Sequence, residues 1–189
     1  MFQCHGDDGH GEATGDRRRL QHRLDVLGVA YKSLHLGHDG TLCLNLSGTR
    51  ISDLAPLTSL HLTHLCLQGC YGITDFSPLG QMRLSWLNLC RTRITDLSVL
   101  FRTPLSCLDL RGTRTADLLP LANVRLTRLD IRFTRIRDVS SLGRMPLENL
   151  AFHSNRIRGG LRILQGMRTL MTINRQPAAE FWKRHSAML

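Results

Sequence analysis

Few residues in this chain have the types and spacing that chemistry requires. His64 and Cys66 lie two apart, which on an extended strand turns an imidazole and a thiol to the same side, the minimum for a base and a nucleophile. No third residue is placed to orient the histidine, so no catalytic residue is assigned and no enzyme is expected. Cys66 and Cys70 form a CxxxC with no second pair at zinc spacing, while Cys4, His5 and His10 make a poor ligand set in a Gly- and Asp-rich lead. No metal and no cofactor are expected. Gly9-His10-Gly11 follows no strand and opens no helix, so it fails as a nucleotide loop. Two regular arrays remain. Asp53, Asp75, Asp96, Asp117 and Asp138 could be a carboxylate array for calcium, but each stands directly before an apolar residue, several before a Pro-Leu pair. That is where an Asp caps a helical turn and a Pro begins one. Arg50, Arg93, Arg114, Arg135 and Arg156 recur in step with them and suit oxyanion recognition.

The spacing of both arrays comes from a repeating unit, seen most plainly in LSWLNLCRTRITDLSVLFRTP over 84–104. The inward residues that close each unit's strand are Leu46, Leu67, Leu89, Leu110, Ile131 and Phe152, 21 or 22 residues apart. A fixed period of this size marks a solenoid, here six leucine-rich repeats over 41–171. The expected class is α/β: a short-stranded parallel sheet on the concave face, with short helical or 3-10 turns on the convex side. Within a unit, Leu87 and Leu89 alternate inward while Trp86 and Asn88 face out. Thr49, Cys70, Thr92, Thr113, Thr134 and Asn155 follow the strands and are expected to hydrogen-bond the backbone one repeat on. Ile51, Ile73, Ile94, Ile136 and Ile157 refill the core, with Thr115 the odd member.

The ends differ from the middle. Residues 1–19 lack apolar periodicity and read as a disordered tail. Leu20, Leu24 and Leu27 have helical spacing, so 20–40 reads as a helix and cap, with a turn over 35–40. The sixth unit replaces its Asp by Gly159, and 172–189, with Pro177 ahead of Phe181 and Trp182, reads as a C-terminal cap.

The formal charge of the 189 residues is +10. The excess lies on the repeats and is almost all arginine, Lys32 and Lys183 being the only lysines. The six cysteines fall mostly inside repeats and read as small thiols rather than as a disulfide framework. No signal peptide and no run of about 18 apolar residues is present, so the expected location is the cytoplasm and no membrane span is expected.

Recognition is expected on the outward strand face, where solenoids make extended contacts. The candidate partner-binding residues are Trp86, Asn88, Asp109, Arg111, Arg128, Asp130, Arg132 and His153, with the arginine rim beside them. Trp and Arg are the types enriched at interface hot spots. Either Asp96, Asp117 and Asp138, three residues on from Arg93, Arg114 and Arg135, neutralise the rim, or an anionic ligand does.

The pattern LxxLxLxxTxIxDLxPL over 41–171 resembles bacterial leucine-rich repeats of the internalin-like kind. The closing TINRQPAAEFWKR also resembles the end of repeat regions attached to some bacterial serine/threonine protein kinases. No kinase signature is present: Asp75-Phe76 is followed by Ser77, and there is no HRD loop. The resemblance implies a stand-alone relative, or a detached tail, of such a receptor-like protein, and the concave face with its arginine rim points to a non-catalytic scaffold for an unknown protein partner, an acidic one suiting the charge. The alternatives are a binder of nucleic acid or polysaccharide, and a detached regulatory module of a kinase.

Overall fold

The computed structural model describes residues 13–37 and 39–186, which form one curved stack over a nine-stranded sheet. The tail reading is corrected in part. Helix α1 runs Ala13–Val26, so the last residues of 1–19 are helical, while residues 1–12 lie outside the described ones. Leu24 of α1 is buried and covers the first strand's inner edge. The segment read as a turn over 35–40 instead begins in strand β1 (Ser33–Leu36), a hairpin partner of β2 (Leu42–Asn45).

From there the sheet is parallel: β3 (His64–Cys66), β4 (Trp86–Asn88), β5 (Cys107–Asp109), β6 (Arg128–Asp130), β7 (Asn149–Ala151) and β8 (Thr172–Ile173). Strands β3 to β7 are three residues long, with the middle leucine, from Leu65 to Leu150, pointing inward between turns, while β2 buries both Leu42 and Leu44. The register is one repeat per strand, so residues at equivalent positions stand side by side. The convex side is built of 3-10 turns, among them 55–60, 77–81, 98–100, 119–121 and 140–144. The core is one column of leucines, with Leu46, Leu67, Leu89, Leu110, Ile131 and Phe152 all buried.

The far end is closed by helix α2 (Leu161–Gln165), the antiparallel pair β8 and β9 (Gln176–Pro177), and helix α3 (Ala178–Arg184). Phe181 of α3 is buried and meets Phe152 edge to face at 5.7 Å. Glycine replaces the sixth aspartate for a steric reason. A Cβ at Gly159 would stand 2.9 Å from the Asp138 carboxylate, and one at Gly160, whose φ is +85°, would strike the backbone of Ser140.

Two hydrogen-bonding expectations change. The aspartates are not the N-cap residues, which are Leu54, Phe76, Leu97, Leu118 and Val139. Each Asp sits one residue earlier and its Oδ1 accepts the N–H two residues on, as in Asp96 with Ser98 at 2.8 Å. This Asx turn serves the same end as a cap. The post-strand threonines do not bond the backbone of the next repeat. Thr92, Thr113 and Thr134 donate to the carbonyl three residues back in their own unit, at 2.7–2.8 Å. Cys70 reaches one repeat back, its Sγ donating to Leu46 O at 3.0 Å and lying 3.8 Å from Thr49 Oγ1. A regular set of side-chain bonds between repeats lies just before the strands. There Ser85, Ser106 and Thr127 each donate to the carbonyl of the equivalent residue one repeat earlier, at 3.1–3.2 Å.

Candidate functional site

The sheet register sets the concave face. Cys43, His64, Trp86, Cys107, Arg128 and Asn149 form one row, and Asn45, Cys66, Asn88, Asp109, Asp130 and Ala151 the next. Arg111, Arg132 and His153 follow the strands at the equivalent third position.

The middle of the second row is closed to contact, while Asn45, Cys66 and Ala151 at its ends are half-buried. Asn88, Asp109 and Asp130 are all buried. Their Oδ1 atoms accept the N–H two residues on, from Cys90 at 2.8 Å, Arg111 at 3.0 Å and Arg132 at 3.1 Å, and so fix the bend out of the strand. Buried carboxylates need charged partners, and the third row supplies them. Arg111 Nη2 lies 2.7 Å from Asp109 Oδ2, and Arg132 Nη2 lies 2.6 Å from Asp130 Oδ2. These charge-assisted bonds raise the pKa of both guanidinium groups and hold each fork in a set orientation. Of the residues expected to touch a partner, Arg111 and Arg132 are thus half-exposed anchors, while Asp109 and Asp130 position them.

Trp86 is half-buried and stacks on His64, centroids 6.0 Å apart and planes 19° from parallel. His64 Nδ1 sits 3.1 Å from Thr63 Oγ1, and burial lowers its pKa while Asp39 opposes the shift. His153 stands apart from Trp86, edge-on to the exposed Phe133 at 4.5 Å, and its buried Nε2 has no hydrogen-bond partner among the described residues. Phe133 holds φ at +60°, a position filled by Gly48, Gly69 and Gly112 in other units. Such strain in a bulky residue is uncommon and clusters at functional sites.

The structure adds a residue that sequence spacing missed. The two-residue turn between β8 and β9 places Asn174 and Arg175 at positive φ, and Arg175 joins Arg111, Arg128, Arg132, Asp130 and Asn149 around a depression of about 290 Å³. The available signal was a short NR step between two extended segments, which a capping reading absorbed.

The rim arginines Arg50, Arg93, Arg114, Arg135 and Arg156 are all exposed. Of the two ways to neutralise the rim, the internal one is not taken by ion pairing: among the described residues no ion pair joins Arg93, Arg114 or Arg135 to Asp96, Asp117 or Asp138, and these aspartates serve the backbone. Hydrogen bonds hold Asp96 and Asp138 below the usual carboxylate range. No group of three or more metal-ligating side chains occurs among the described residues, and no helix there is long and apolar enough to cross a membrane.

No protein-family model and no curated protein sequence matches the chain. Solved structures do. It is similar to an internalin, inlF, from Listeria monocytogenes, at 25% identity and a TM-score of 0.62 over 68% of this chain. It spans only 39% of that protein. It is also similar to the internalin inlC2 from the same organism, at 27% identity and a TM-score of 0.52, over 69% of each chain. Stacked strands in register, 3-10 turns on the convex side and this likeness agree, and the chain is a leucine-rich-repeat solenoid whose repeats are similar to those of the Listeria internalins.

Proposed function

We propose that this protein is a non-catalytic scaffold that binds a protein partner through the second half of its concave face. Internalin-like repeats support a protein-interaction role in general terms. The observation that carries the finer reading is the depression ringed by Arg111, Arg128, Arg132 and Arg175, with half-buried Trp86 two strands before Arg128 on the same row. Two of these arginines are held by buried carboxylates, whereas Arg128 and Arg175 are exposed and no ion pair engages them among the described residues. Preorganised guanidinium forks around a hollow suit carboxylate side chains on a partner. The rim arginines extend the positive field and would speed encounter with an acidic surface.

The test is retention of partners from lysate of the source cell, using the intact chain and a Trp86→Ala, Arg128→Ala, Arg175→Ala variant. These side chains leave no buried charge behind, unlike Arg111 or Arg132. Support is a discrete protein held from ~50 to ~200 mM salt and lost in the variant. Nucleic acid or polysaccharide that washes off over this range would overturn the reading in favour of anionic-polymer binding.

A further inference from the structure

A second arginine series lies on the opposite edge of the sheet, in the segments that lead from the convex turns into the strands. Arg83, Arg102, Arg125, Arg144 and Arg168 stand one per repeat, one to three residues before buried Leu84, Leu105, Leu126, Leu147 and Leu170, and all five are exposed. Over the last three repeats these segments enclose an open groove of about 740 Å³, with Arg125, Arg144, Arg162 and Arg168 in its lining. No acidic side chain lines it, and among the described residues no ion pair engages Arg125, Arg144 or Arg168. Apart from Asn123 and Thr169 the rest of the lining is apolar or glycine, notably Val124, Met145, Ile163 and Met167, with Ile163 43% exposed.

We propose that this groove binds an acidic peptide segment with interspersed apolar side chains, contributed by a partner protein. Unpaired guanidinium groups in a row call for oxyanions, and the planar fork matches a carboxylate bidentately. The apolar lining between them would be covered by aliphatic side chains. A single-stranded nucleic acid fits less well, because such sites use aromatic stacking platforms and no aromatic residue lines this groove. The site is on the other edge from the rim and separate from the concave hollow, so it stands or falls independently of the reading above.

The test is fluorescence anisotropy with the full chain and a labelled peptide of about ten residues alternating Glu and Leu. A matched Glu–Ser peptide and an oligothymidylate of similar charge are the comparators. Arg125→Gln, Arg144→Gln, Arg168→Gln removes three groove charges and keeps aliphatic stems. Arg93→Gln, Arg114→Gln, Arg135→Gln removes three from the rim. The expected result is that the Glu–Leu peptide binds, loses at least about tenfold in affinity in the groove variant, and changes less than about twofold in the rim variant. The Glu–Ser peptide should bind at least about fivefold more weakly. Absence of Glu–Leu binding, equal loss in both variants, equal binding of Glu–Ser, or tighter groove-dependent binding of the oligothymidylate would each overturn the proposal.

Discussion

Arg111 reaches across a repeat boundary to Asp130: its Nε lies 3.5 Å from the Oδ2 that also accepts Arg132. With Asp109 on its other side, Arg111 joins two buried carboxylates of adjacent strands into one network.

Removing Asp130 breaks that network and the bend after β6 together. Asp130→Ala should lower unfolding free energy by about 3 kcal/mol in urea denaturation, because the Arg132 guanidinium loses its partner, Arg111 loses the second of its two, and the Arg132 N–H loses its acceptor. Asp130→Asn should cost only about 1–2 kcal/mol, since Asn45 and Asn88 make the same backbone bond in other repeats. Equal losses would show that the ion pairs contribute nothing beyond the turn.

The His64–Trp86 stack gives an optical readout. Burial favours neutral imidazole, so His64 should protonate below its ordinary value of 6.5 despite the opposing field of Asp39. In a Trp182→Phe background, Trp86 emission should fall as imidazolium forms, with a midpoint below pH 6.5, and His64→Gln should abolish the step. By linkage, the stability that comes from keeping His64 neutral is present above pH 6.5 and is lost as pH falls from there through the folded pKa.

The convex aspartates set acid sensitivity. The Ser77 and Ser98 backbone N–H and hydroxyl groups hold Asp75 and Asp96 below 3.8, and the Ser140 hydroxyl and N–H do so for Asp138. A depressed folded pKa contributes stability above the unfolded value, lost as pH falls through the folded one. Ser77→Ala, Ser98→Ala, Ser140→Ala should therefore be less stable than the parent at pH 6, and the difference should close as pH falls below 3.8, followed by circular dichroism.

Arg91 holds φ at +56° at the turn position occupied by Gly48, Gly69 and Gly112. Relieving a left-handed side-chain conformation should outweigh the added chain entropy, so Arg91→Gly should stabilise by about 0.5–1 kcal/mol and raise Tm by a few degrees. A lower Tm would mean that the Arg91 side chain, which lies against Gly112, contributes more by packing than its backbone costs.

The 21-residue spacing of leucines determined the solenoid, the parallel sheet and the inward column by itself, because each repeat can bury its apolar edge only against an identical neighbour. It also located the half-exposed Trp86, Arg111 and Arg132 on the concave face, since alternation along a strand is a local property. Burial was not legible in the same way. Asn88, Asp109 and Asp130 share the outward parity of Trp86, yet they are covered by backbone and by neighbouring arginines, which only the stacked strands bring near. Arg175 and the edge row Arg125, Arg144 and Arg168 were hidden for a related reason. They sit in connections of unequal length and in a terminal turn, where no period applies and the fold alone sets which cations share a hollow.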